Sequence, residues 1–226
     1  MIAAQTPAIW GNAGMYVVTL VTQKGGSGKS TLTVGLAVAA MEDANRVAVI
    51  EADSQGTVSS WRRRRTNPYP RVDRVADRVE IERAIPRLRA EGVGLAIIDT
   101  AATNNNLSSC AISVADFCLI PARPSPADIE AALPTLTTIR RFNRRFAFVL
   151  NQTPPRGYRL SEAATSLNSL GVLALPFIVQ RNDFQDALGA GLGVTEFAPE
   201  GKASEEIRAL WGWVSKQLNK EAVVHG

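Results

Sequence analysis

Residues 16–31 read YVVTLVTQKGGSGKST. A run rich in β-branched residues, Tyr16 to Thr22, stops at Lys24-Gly25-Gly26-Ser27-Gly28-Lys29-Ser30-Thr31, and an apolar-periodic helix pattern runs on from Leu32 to Met41. Strand, glycine loop and helix in that order are the context of a phosphate-binding loop. Glycines let successive backbone N–H groups turn inward, and the helix N-terminus adds partial positive charge. In such a loop Lys29 reaches the β- and γ-phosphates and the Ser30 hydroxyl ligates Mg²⁺. A Gly/Ser turn beside a solvated lysine would carry no such agreement between loop and flanks.

The common loop is GxxxxGK[ST], whose first glycine would fall at Gln23. Here Lys24 stands directly before Gly25 instead. This sequence, KGGSGKST, resembles the deviant Walker A loop of the ParA/MinD family of ATPases. The resemblance implies that Lys24 crosses a dimer interface to the phosphates held by the other subunit. A spare loop lysine is the bland alternative for Lys24.

Other segments fit the same resemblance. Glu51-Ala52-Asp53-Ser54-Gln55-Gly56 looks like the family's Asp-x-Asp-Pro-Gln motif, with Glu51 at the first acid and Ser54 for proline. Asp53 then corresponds to the acid near Mg²⁺ and the attacking water, while Glu51 has no assigned role. Gly94 to Thr100, GLAIIDT, is a buried parallel strand ending in an acid, so Asp99 is the expected Mg²⁺ acid. Ala101-Ala102-Thr103 replaces the relatives' Pro-Pro continuation and would sense the γ-phosphate. Asn151, and Pro176 in the expected last strand Val172 to Ile178, are the nucleotide contacts expected beyond the loop. The expected site is therefore Lys24, Lys29 and Asp53 for catalysis, residues 24–31 with Asn151 and Pro176 for nucleotide, and Ser30, Asp53 and Asp99 for metal. ATP and Mg²⁺ are the implied cofactors.

Strands alternating with helices predict an α/β fold: a doubly wound, mostly parallel sheet of about seven strands with ligand loops at their C-terminal ends. Ser125 and Pro126 read as an N-cap and first-turn proline, and Asp128 as first-turn charge. Pro86 falls inside the helix pattern Asp77 to Ala90 and predicts a kink or early stop. Residues 15–218 form the ATPase domain, between a flexible extension, 1–14, and a flexible tail, 219–226. The extension lacks the basic start and long apolar core of a signal peptide.

A chain of 226 residues, 46% hydrophobic and with a formal charge of +4, describes one ordinary α/β domain. Cys110 and Cys118 sit in apolar runs and read as free thiols in a reducing cytosol. The only histidine is His225, which argues against histidine-based catalysis or metal binding. Positive charge clusters as arginine at Arg62 to Arg65, Arg140 to Arg145 and Arg181, which favours phosphate-bearing partners. Solvated basic helix ends are the alternative.

The resemblance is greatest to short ParA-type partition proteins, and the layout is also similar to the VirC1 proteins of DNA transfer. It implies a slow, partner-stimulated ATP hydrolase that forms an ATP-dependent homodimer, binds DNA nonspecifically and works with a ParB-like partner, cytoplasmic and nucleoid-associated. Arg181, Arg144 and Arg145 are the expected DNA contacts. Two alternatives stay open. A MinD-like membrane-cycling ATPase needs a basic amphipathic C-terminal helix, which residues 217–226 supply poorly. A metabolic enzyme of the same superfamily, a synthetase or a nitrogenase-type iron protein, is the other; the iron protein needs bridging cysteines on loops.

Overall fold

The computed structural model describes residues 14–43, 45–103 and 106–220. The expected extension, save Gly14, and the tail beyond Lys220 lie outside the described residues. In chain order the elements are β1 (Tyr16–Leu20), α1 (Lys29–Glu42), β2 (Val47–Ala52), α2 (Thr57–Arg64), β3 (Arg71–Arg74), α3 (Arg78–Ala90), β4 (Leu95–Thr100) and α4 (Asn106–Ser113). They continue with β5 (Phe117–Ala122), α5 (Pro126–Arg141), β6 (Arg145–Leu150), α6 (Tyr158–Leu170), α7 (Asp183–Ala190), α8 (Val194–Phe197) and α9 (Lys202–Asn219).

The strands form one sheet in the order β3-β2-β4-β1-β5-β6, and every pairing is parallel. Side chains alternate between the two faces, as the pleat requires. Leu95 and Ile97 of β4 join the core under α1, α2 and α7 to α9, whereas Ala96 and Ile98 face α3 and α4. The second face continues under α5 and α6 with Cys118, Ile120, Phe148 and Leu150. Burial on both faces explains why these strands read as unbroken apolar runs.

Among the described residues the sheet has six strands, where about seven were expected. The segment from Val172 to Ile178 still runs beside β6, but it touches the sheet through isolated bridges such as Phe148↔Leu173. Leu150 accepts a hydrogen bond from the Ile178 amide, and Phe148 from Ala174. Between those contacts stands Pro176, which has no N–H to give to a ladder. The expected stop at Pro86 does not occur either, since α3 runs through it to Ala90. Pro86 lies on the exposed side of α3, between the buried positions Ala84 and Leu88, so it disturbs no core contact.

β1 sits between β4 and β5 at the centre of the sheet. The chain leaves it first towards β2 and β3 and later, from β4, crosses to β5 and β6 on the other side. That reversal opens a crevice at the C-terminal end of β1, the place where ligands bind in open α/β sheets.

Candidate nucleotide site

The loop after β1 turns back under the head of α1. Gly28 is the residue before the helix, with φ of +87° and ψ of 21°. Only glycine takes this left-handed conformation freely. A Cβ there would also stand 2.2 Å from Asn151 Nδ2, so the position is closed to side chains twice over. Asn151 Nδ2 donates to the Ser27 carbonyl at 2.8 Å, and Gln152 Nε2 to the Gly26 carbonyl at 2.9 Å. The end of β6 thus holds the loop in shape. The adjacent Gln152 was not expected in this part.

Lys29 is 7% exposed and its Nζ donates to the Thr22 carbonyl at 3.3 Å, folding the ammonium back over the loop. Burial pulls its pKa below the ordinary lysine value, opposed by the negative charges of Asp99 and Asp53. Asp99 is the residue before the last in β4 and is fully buried. Its Oδ2 accepts from Ser30 Oγ at 2.7 Å and its Oδ1 from Thr33 Oγ1 at 3.3 Å. Burial pushes the Asp99 carboxyl up to about 7; the Ser30 hydrogen bond and the Lys29 charge oppose the shift, and Asp53 and Glu51 add to it. Thr33, one turn beyond Ser30, was missed from sequence, although that spacing puts both hydroxyls on one helix face.

Asp53 follows β2, the strand next to β4 on the same side of β1 as Asp99. Its Oδ1 accepts from the Gln55 amide at 2.9 Å, and its carbonyl from Gly56 at 3.1 Å, a tight turn that leaves the carboxylate at the crevice. Glu51, unassigned in the sequence, now has a part. It is 1% exposed, and its Oε1 accepts from the amides of Val58 at 2.7 Å and Ser59 at 3.2 Å. Ser59 Oγ and, at 3.6 Å, Arg74 complete its shell. Glu51 caps the N-terminus of α2, where the residue before the helix is Gly56 and no side chain of its own does so.

The remaining expected residues scatter. Lys24 is half-buried, beside the exposed Gly25 and Gly26. Next to the loop lies a cavity of about 120 Å³ lined by Thr31, Asn151, Gln152, Gln180, Arg181 and Asn182 among others. Pro176 does not line it. Arg181 pairs with Glu206 at 2.6 Å, and its Nε is buried without a hydrogen-bond partner among the described residues. Arg145 begins β6 and Arg144 directly precedes it, at the end of the sheet away from the loop. Arg144 donates to the Ser113 carbonyl, while Arg145 donates to that of Gln217 and lies 5.4 Å from the centre of the Phe117 ring. Of the first arginine group, Arg65 is buried and paired with Glu196 at 2.6 Å.

A sequence profile described as the CobQ/CobB/MinD/ParA nucleotide binding domain matches residues 18–194. The chain belongs to this family. The match runs from β1 into α8, so this nucleotide binding domain includes the loop, Asp53, Asp99 and the cavity beside them. The chain is 27% identical over 216 residues to the maintenance of carboxysome distribution protein A of Halothiobacillus neapolitanus, covering 86% of this chain and 94% of that protein. It is 31% identical over 126 residues to protein VirC1 of Rhizobium radiobacter, 54% of each chain. Among solved structures, the cell division ATPase MinD of Pyrococcus furiosus superposes with a TM-score of 0.74 at 18% identity, over 89% of this chain and 99% of that one. Cobyrinic acid a,c-diamide synthase of Mycobacterium smegmatis, solved with an ATP analogue and magnesium, gives 0.74 at 14% identity, over 92% and 96%. One fold thus serves a cell division ATPase and a synthetase, and the fold alone does not choose between them.

Proposed function

We propose that this chain is an ATPase that dimerises on binding ATP and Mg²⁺, binds DNA without sequence preference, and positions plasmid or chromosomal DNA or another cargo with a ParB-like partner, in the cytoplasm and on the nucleoid. The observation that carries the reading is the Ser30–Asp99 pair at the head of α1, directly behind a loop that begins with Lys24. The residues present suit a nucleotide phosphate. Ser27 Oγ and Thr22 Oγ1 are buried in the loop without a hydrogen-bond partner among the described residues, Gly28 leaves no Cβ in the way, and Lys29 brings a buried cation. Ser30 and Asp99 offer the hard oxygen donors that Mg²⁺ prefers.

Bound Mg²⁺ would neutralise phosphate charge and orient the terminal phosphoryl group for attack by water. The chain itself does the rest by positioning. Lys29 and the loop amides stabilise negative charge on the phosphates. Asp53 holds the attacking water, and Lys24 of the second subunit completes the site. Asp53→Ala is expected to keep ATP affinity while slowing single-turnover hydrolysis by about two orders of magnitude, the scale of a positioned acid or base. Unchanged turnover would take Asp53 out of the mechanism.

One observation favours this reading over the iron-protein alternative. Cys110 lies in α4 and Cys118 in β5, both buried, and burial pushes the Cys118 thiol up to about 12, which ill suits bridging a cluster. The relatives named for carboxysome distribution and DNA transfer lend the positioning role.

The test is DNA binding with and without ATP. Phosphate contact gives affinity that is independent of sequence and falls steeply with salt. A dimer doubles the contacts, so ATP is expected to raise affinity. Lys24→Ala is expected to bind ATP, remain monomeric in sedimentation and lose the ATP-dependent gain. Charge reversal at Arg181 or Arg144 is the finer probe of the surface. Arg145→Glu serves less well, because it also breaks a ring contact and a tie to α9. DNA binding indifferent to ATP would overturn the reading.

A further inference from the structure

β5 is the other neighbour of β1, and its C-terminal end opens beside the loop opposite Asp99. The first residue past that end is Arg123. Its Nε donates to Asp128 Oδ1 at 2.9 Å and its Nη2 to Asp128 Oδ2 at 3.2 Å, a bidentate clamp. Asp128 is 2% exposed and is held in turn by Ser125 Oγ at 2.7 Å, so the carboxylate is a fixed anchor as well as a first-turn charge on α5. The clamp leaves Arg123 Nη1 with no hydrogen bond among the described residues. That nitrogen lies 3.9 Å from where a Cβ on Gly26 would stand, over the exposed Gly25–Gly26 stretch.

This placement is electrostatically costly on its own. Lys24, Lys29, the inward-turned amides and the head of α1 already make the loop positive. A third cation brought to the same place repels all of them unless an anion lies between. The Asp128 pair does not remove that need. Asp128 neutralises the side of Arg123 that bears Nε and Nη2, but Nη1 still faces the loop.

We propose that Arg123 is a further phosphate-contact residue of the nucleotide site, held by Asp128 so that Nη1 donates to a phosphate oxygen over Gly25–Gly26. The inference rests on the reading of the loop as a nucleotide site and deepens it. Asp128 is then a positioning residue and touches no ligand itself.

Calorimetry of the full chain with Mg·ATP at low and high salt tests it, alongside nucleotide-free melting. Arg123→Ala is expected to weaken ATP binding about tenfold at low salt, the loss of one charge-assisted hydrogen bond, with a shallower salt dependence than wild type. Arg123→Lys, which keeps the charge without the fork, is expected to recover part of the loss. Nucleotide-free melting is expected to fall in Arg123→Ala, because the buried Asp128 carboxylate loses its bidentate partner, and to fall less in Arg123→Lys. ATP affinity within twofold of wild type in Arg123→Ala, with or without a lower melting temperature, would overturn the inference and leave Arg123 a tie for α5. Lys29→Ala runs in parallel: if it loses ATP while Arg123→Ala does not, only the Arg123 inference falls. If Lys29→Ala also keeps ATP, the nucleotide site itself is misassigned and the inference falls with it.

Discussion

Lys29→Ala is expected to remove measurable ATP binding, a loss on the order of a hundredfold or more when two charge-assisted hydrogen bonds go together. The geometry gives the reason. Lys29 Nζ is the one cation buried within the loop among the described residues, 7% exposed and turned back onto the Thr22 carbonyl. Burial has already stripped much of its water, as the lowered pKa reports, so a phosphate need not pay for that desolvation again. The negative charges of Asp99 and Asp53 oppose that shift. The fold should survive the change, because α1 also packs through Leu32, Val34, Leu36 and Val38 into the main core. Calorimetry against Mg·ATP, with circular dichroism as the folding control, reads both halves. Micromolar affinity in a folded variant would refute the assignment of the loop.

The loop was legible because its chemistry is local. Glycines, lysine and hydroxyl lie within eight residues, and the strand before and helix after them follow from apolar pattern alone. Asp99 was legible for a similar reason, as the acid closing a buried run. Features that depend on neighbours distant in sequence were not. Arg65 reads as surface charge in a basic run, but its partner Glu196 lies far along the chain, and pairing turns that arginine into a buried brace. Glu51 looked like half of an acidic motif, whereas the fold of α2 back over the end of β2 makes it a helix cap. Arg123 carried no signal, because only the strand order places the end of β5 beside the loop. The seventh strand failed on one residue, since an apolar run predicts a strand until a proline removes the donor its ladder needs.

The second large effect has two opposite signs in one variant. Asp99→Asn is expected to stabilise the nucleotide-free protein and to abolish its stabilisation by Mg·ATP. In the folded chain burial raises the Asp99 carboxyl from 3.8 to about 7. Between those values the folded state holds a proton that the unfolded chain has released. Stability therefore falls as pH rises from about 4 to about 7, and the full penalty stays in place above that. A shift of that size corresponds to a few kcal/mol at most. An amide carries no charge to desolvate, so the variant should melt several degrees higher than wild type at pH 8 and nearly with it at pH 4. Some of the gain is offset, because an amide offers Ser30 and Thr33 one acceptor oxygen where the carboxylate offers two. With Mg·ATP the order reverses. Wild type gains stability in proportion to the logarithm of ligand over dissociation constant. The variant has lost the charge that would draw the metal to Ser30 and should gain little. Melting curves at the two pH values, each with and without Mg·ATP, give the four numbers needed. A variant that melts below wild type at pH 8 without nucleotide would show that Asp99 stabilises the fold and that its buried charge is not held there for a ligand.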